Sequence, residues 1–269
     1  MEILGYVASA IIGVSLGLIG GGGSILTVPV LVYLMGVEPV VATAYSLFIV
    51  GSTALVGALP KWRNGVVNVK TALIFGIPSI AAVYATRAWL VPLIPQEVFS
   101  VGDFVVTKSI LMMLLFAVLM VAASISMIRG QNGTEKESET KTTNGQHFNY
   151  PLIVVEGAVV GTLTGLVGAG GGFLIIPALV LLTKLPMKEA VGTSLLIIGM
   201  KSLLGFTGDL GHYVMDWTLL FTVTALAIGG IFVGNALSKR VSGAHLKVGF
   251  GWFVLAMGIY IIVKEIFLT

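Results

Sequence analysis

Apolar stretches recur along almost the whole chain, from Ile3 to Ile128 and again from Pro151 to Leu268. Most approach or exceed the roughly 20 residues that a helix needs to cross about 30 Å of hydrocarbon. Only 10% of the residues are charged and 57% are apolar, with a mean hydropathy of +1.03, whereas globular domains carry about 25% charged residues. This pattern predicts an integral membrane protein. The spans must be helices, because Ile110–Val121 and Leu219–Val233 are apolar on every side and a barrel strand alternates over roughly 10 residues. Met1-Glu2 lacks a basic n-region and the first apolar run continues through Tyr33, so that run is expected to belong to the mature protein. The absence of cysteine excludes disulfides, thiolate metal sites and cysteine nucleophiles. A formal charge of +3 is too small to point to nucleic acid.

The chain is a duplication. GLIGGGGSILTVPVLVYL from Gly17 aligns without gaps to GLVGAGGGFLIIPALVLL from Gly165, and the same offset matches Ala42 to Ala190, Ser46 to Ser194, Gly51 to Gly199 and Gly57 to Gly205. Between the copies lies the one long polar stretch, RGQNGTEKESETKTTNGQHFN. The expected organisation is a first repeat over 1–128, a polar linker over 129–150 and a second repeat over 151–269. Duplicated units of this kind are common in secondary transporters.

Each repeat opens with an apolar segment, Ile3–Met35 or Pro151–Thr183, that is broken by glycines and followed by Pro29 or Pro177. It is too long for one plain crossing and too short for two. Three more segments follow in each half, about Pro39–Leu59, Val66–Leu90 and Phe104–Ile128, then Met187–Gly208, Trp217–Leu237 and Ala244–Leu268. Charge decides what the broken segments do. If each made a single crossing, Lys and Arg would divide seven against seven between the faces. If each returns to its entry face, Lys61, Arg63, Lys70, Arg129, Lys136, Lys141, Lys184, Lys188, Lys239, Arg240 and Lys247 share one face, against Arg87, Lys108 and Lys264 on the other. The second arrangement obeys the positive-inside rule. It predicts a cytoplasmic linker, with both termini and Glu2, Glu38, Glu97, Asp103, Asp209 and Asp216 outside. Hairpin plus three crossings is an odd count, so the repeats are expected to be inverted. The expected fold is an all-α polytopic protein of two inverted repeats.

An unwound segment inside a bilayer leaves N–H and C=O groups that protein or a cavity must satisfy. Two inverted hairpins would bring Gly20, Gly21, Gly22 and Gly23 and the run Gly168, Gly170, Gly171 and Gly172 to mid-depth. Helices restarting at Ser24 and Phe173 would aim N–H groups and positive dipole ends at the cavity between them, which is an anion site made of backbone. The plain alternative is that the glycines let helices pack closely. Ser24, Ser46, Thr193 and Ser194 are hydroxyl candidates for the same site, the alternative being a bond to their own helix carbonyls. Lys201 lies inside an apolar helix and is a candidate electrostatic partner, or else it snorkels or meets a structural partner. Its counterpart is Thr53. Asn68 and Asp216 fit helix N-caps, and Trp62, Trp217 and Trp252 fit interfacial anchors. Neither glycine run continues into the Lys-Ser/Thr of a nucleotide loop.

These residues resemble the TauE/SafE family of membrane permeases, the sulfite exporter or toluene-sulfonate uptake family. The likeness covers nearly the whole chain: the duplicated glycine stretch with its following proline, then Gly192-Thr193-Ser194-Leu195 in the second half. The first half departs at Ala44-Tyr45-Ser46-Leu47, with Tyr45 where threonine is usual, which questions equal hydroxyl contributions from the two halves. The resemblance implies transport of small sulfur-containing anions, such as sulfite, sulfoacetate or other organosulfonates, in either direction.

The expectation is a permease of the bacterial inner-membrane type, working by alternating access on a small oxyanion. No cofactor, catalytic centre or metal is expected. Proton coupling is compatible with the chain, although no buried carboxylate or histidine is clearly placed to carry it. An anion channel is the nearest rival. An intramembrane hydrolase using Lys201 with Ser194 or Ser202 is a more distant one, because it leaves the repeat unexplained.

Overall fold

The structure, a computed structural model, describes residues 2–101, 104–129, 150–183, 185–238 and 243–267. Apart from its two end residues the expected linker lies outside them, as do Asp103, Lys184, Lys239 and Arg240. The first broken segment is a hairpin. Helix α1 (Glu2–Ile19) ends at Gly20, whose φ of 77° and ψ of −133° reverse the chain. The return arm α2 (Gly21–Leu34) starts as a 3-10 turn over Gly21–Leu26 and closes as a π turn over Val30–Leu34. Pro29 between them offers no N–H to the preceding turn, so regular α-helical bonding cannot run through. Gly23 rests on Ser15 and Leu16, and Gly5 on Met35, so the arm comes back to the end from which it set out.

Three long helices complete the first half: α3 (Pro39–Arg63), α4 (Val69–Leu93) and α5 (Lys108–Arg129). The second half repeats the order with α6 (Tyr150–Val167), a turn of glycines, α7 (Gly172–Thr183), α8 (Met187–Thr207), α9 (Trp217–Leu237) and α10 (Gly243–Phe267). Among the described residues six helices, three in each half, are long and apolar enough to cross a membrane: α3, α4, α5, α8, α9 and the 248–267 part of α10. The expected caps are present. Asn68 accepts the Thr71 N–H and Asp216 the Leu219 N–H, both at 3.0 Å.

The long elements are helical, as expected of an all-α chain, and a short extended pair is added between two of them. Glu97–Val101 (β1) and Phe104–Thr107 (β2) form an antiparallel pair between α4 and α5. Phe104-Val-Val-Thr107 suits an extended ribbon better than a first helical turn. The Thr107 hydroxyl then accepts the Ile110 N–H at 3.3 Å and caps α5 at its start.

Small residues govern the packing. Gly13 and Gly17 of α1 meet Ala227, Ile231 and Gly234 of α9, while Gly157, Gly161 and Gly165 of α6 meet Phe75, Ser79 and Thr86 of α4. Both contacts are parallel, and they are counterparts under the repeat offset, so each hairpin lies on a span of the other half. The central helices α3 and α8, themselves counterparts, run antiparallel: Gly51 faces Leu203, Gly199 faces Leu55 and Gly57 faces Leu195. The pair α5 and α10 is antiparallel too, with Gly251 on Met127 and Gly258 on Val121. Side chains such as Trp62, Phe221, Phe232 and Trp252 stand exposed around this centre, as a surface solvated by lipid requires.

Candidate functional site

The two glycine runs meet. A Cβ on Gly21 would collide with the Cα of Gly172, and one on Gly172 with the Cα, C and O of Gly21. These are the first residues of α2 and α7, so the return helices restart three residues before Ser24 and one before Phe173. Glycine makes the early start possible, since only a residue without Cβ tolerates this approach. Two helix N-termini, each worth roughly half a positive charge, therefore abut in a fully buried place. All eight glycines named from sequence are buried. In the second run Gly168, Gly170 and Gly171 take positive φ values of 72°, 65° and 72°, which turn the chain sharply between α6 and α7.

The tips do not share one level. Gly20 lies against Val191, one turn into α8, and Gly168 against Thr43, one turn into α3. Because α3 and α8 are antiparallel, those contacts lean toward opposite ends of the central pair, while the adjoining Gly21 and Gly170 both lie against Ile198, midway along α8. The physical reason is length: the 18 residues of α1 and of α6 rise about 27 Å each, most of a bilayer core. The arms pass one another, and the point of crossing at Gly21 and Gly172 is central.

The hydroxyls divide by what they already do. Ser24 donates to the Gly21 carbonyl at 2.7 Å and Ser194 to the Val191 carbonyl at 2.9 Å. Thr193 accepts the Asn68 N–H at 2.9 Å. The Ser46 hydroxyl, fully buried, has no partner among the described residues and alone of these four makes no hydrogen bond there. Lys201 is buried and reaches the second tip. Its Nζ donates to Thr164 Oγ1 at 2.8 Å, in the last turn of α6, and lies against Gly171. Thr53, its counterpart, bonds back to Ile49 in its own helix.

Arg87 and Asp209, both expected on the outer face from the charge distribution, are not exposed there. Both are fully buried and paired, Nε to Oδ2 at 2.8 Å. Arg87 Nη1 donates to Thr43 Oγ1 at 3.0 Å, beneath Gly168. The available signal was an arginine six residues inside the end of an apolar span.

A family profile described as sulfite exporter TauE/SafE matches residues 6–261. A probable membrane transporter protein of Xylella fastidiosa is 30% identical over 258 residues, covering 95% of this chain and 92% of the relative. The probable membrane transporter protein YunE of Bacillus subtilis is 28% identical over 99% of this chain and 98% of its own length. A probable membrane transporter protein of Haemophilus influenzae is 26% identical over 97% of this chain and 98% of its own. No solved structure matches.

Proposed function

This chain belongs to the TauE/SafE sulfite exporter family, whose members are multi-pass membrane transporters and not enzymes, and we propose that it carries small sulfur-containing oxyanions by alternating access around the Gly21–Gly172 crossing. Sulfite and short organosulfonates are the substrates this reading favours. The observation that carries it is the abutment of two buried helix N-termini. Like partial charges at contact repel, and an oxyanion seated beside the contact, accepting from N–H groups of both first turns, would turn that repulsion into binding. Lys201 adds a cation at the second tip and Ser46 a free hydroxyl. A site built of partial charges and one lysine holds an anion loosely enough to release it.

Alternating access also needs a structure that can present the site to either side. The antiparallel pairing of α3 with α8 and of α5 with α10 supports inverted repeats, since each pair consists of counterparts. The charge distribution supports termini outside and residues 129–150 in the cytoplasm. The buried pairing of Arg87 with Asp209 removes one of the three cations counted on the outer face and so strengthens that bias.

Counterflow in proteoliposomes tests the proposal. Vesicles loaded with unlabelled sulfite should accumulate labelled sulfite well above controls, and sulfite or a small sulfonate should raise the melting temperature of the purified protein more than sulfate or phosphate does. Conductance without accelerated exchange would indicate a channel. Absence of stabilisation by every oxyanion would remove the site.

A further inference from the structure

Arg87 and Asp209 tie the two halves together at the end where Gly168 sits. Arg87 belongs to α4 of the first half, and Asp209 to the connection between α8 and α9 of the second. Their repeat counterparts at the opposite end are Asn235 and Lys61, which cannot form an ion pair. Thr43, which accepts from Arg87, has Val191 as its counterpart. The duplicated backbone thus carries a charged tie at the end where Gly168 sits that the counterpart positions at the other end cannot repeat.

The tie is also incomplete. On a planar guanidinium the Nε N–H and one N–H of Nη2 share an edge, and a carboxylate normally grips both. Here Nε bonds to Oδ2, while Arg87 Nη2 and Asp209 Oδ1, both buried, have no partner among the described residues. The fork is closed at one point of two. A trigonal or tetrahedral oxyanion presents the same two-oxygen edge as a carboxylate, so it can compete for this guanidinium.

Resting on the transport reading above, we propose that Arg87 is the oxyanion-recognising gate of this end: Asp209 holds it in the closed arrangement, and an arriving oxyanion takes Asp209's place and unties the halves. The ligand shifts the equilibrium because it bonds Arg87 only in the untied state. Thr43 passes the change to Gly168, against which it packs, and so to the second hairpin tip.

The chain contains no cysteine, so Ala44→Cys supplies a single thiol beside Thr43, at a fully buried position. Its modification by a membrane-impermeant maleimide, added from the Arg87 side of sealed vesicles, reads whether this end is open. In the otherwise unchanged chain, modification should be slow and sulfoacetate, which unlike sulfite does not add to the maleimide, should accelerate it. Asp209→Asn should react at least about tenfold faster without sulfoacetate, and the exchanged pair Arg87→Asp with Asp209→Arg should return to the slow rate. Arg87→Lys keeps the charge but loses the fork, so it should raise KM for sulfite exchange about tenfold with kcat less affected. Equal modification rates in Asp209→Asn and its parent would overturn the gate, as would undiminished acceleration by sulfoacetate in Arg87→Lys. Failure of counterflow in the unsubstituted protein would instead sink the transport reading, while fast modification of Asp209→Asn would still stand as a broken tie.

Discussion

The two halves agree in how they hold the backbone and differ in where they put charge. Tyr45 accepts the backbone N–H of Asp216, and Thr193 accepts that of Asn68. Positions 45 and 193 are counterparts, and so are 68 and 216, so the same clasp is made twice with unlike side chains. The tyrosine that departs from the family pattern therefore keeps the threonine's bond. Charge follows the opposite rule: Lys201 stands opposite Thr53, Arg87 opposite Asn235 and Asp209 opposite Lys61. Duplication supplies a symmetric scaffold, and single-copy charges give its two ends different properties.

The largest effect should come from breaking the element on which both halves depend. Gly21→Ala or Gly172→Ala places a methyl group into the backbone of the other run, which has no side chain to move aside. Overpacking of this kind costs about 3 kcal/mol, the upper end of the usual range, and exchange activity should be lost. Gly76→Ala is the control, because its Cβ meets only Ile197 at an ordinary 3.9 Å. Thermal melting of the three variants in detergent checks this. Similar melting temperatures for all three would mean that the runs are not in contact.

Next comes the charge that one half has and the other lacks. Lys201→Met keeps the volume and removes a buried cation, and such replacements are neutral or stabilising in folded proteins. The expected signature is a split: melting unchanged or raised, exchange lowered by about tenfold or more, as the loss of a charge-assisted contact implies. Unaltered exchange would reduce Lys201 to a structural bond with Thr164. Lowered exchange together with early melting would be equally damaging to the substrate role.

How much of this was visible in the chain follows the same division. Hydropathy and the repeat placed the six spans, the caps at Asn68 and Asp216 and the two breaks, because length, apolarity and glycine act locally. The extended pair Glu97–Val101 and Phe104–Thr107 is hidden in the sequence because Phe104-Val-Val-Thr107 continues an apolar run and hydropathy outweighs its β-branched character. Symmetry alone does not show that Gly20 and Gly168 lean toward different helix ends while Gly21 and Gly172 meet between them, because that follows from how each return arm packs on the central pair. Arg87 and Asp209, 122 residues apart in sequence, are brought together only by the packing of one half on the other, which no local pattern encodes. The commitments of Ser24, Ser194 and Thr193 to backbone partners are likewise invisible until the helices are placed.

A smaller effect tests the clasp. Tyr45→Phe and Thr193→Val each remove one hydrogen-bond acceptor from a backbone N–H at the start of a span, worth about 1 kcal/mol. If the clasps are equivalent, the two losses of melting stability should agree within about 0.5 kcal/mol, with little change in KM. A rise in KM for Thr193→Val that Tyr45→Phe does not share would show that threonine also serves the substrate, and the halves would then differ in hydroxyls as well as in charge.

The smallest expected effect separates Ser46 from Ser194, counterparts with the same side chain in different states. Ser194 donates to Val191 within its own helix, so Ser194→Ala removes a local bond and should leave exchange alone. Ser46 makes no bond among the described residues, and burying an unmatched hydroxyl is itself unfavourable by about 1–3 kcal/mol. Ser46→Ala should therefore be neutral or slightly stabilising in thermal melting. A hydroxyl kept at a stability disadvantage is explained if it bonds the substrate in transit, so the same variant should raise KM for sulfite by about threefold to tenfold, the value of one hydrogen bond. If Ser46→Ala gains stability and keeps its KM, the free hydroxyl has no part in the site, and the first half contributes through its backbone alone.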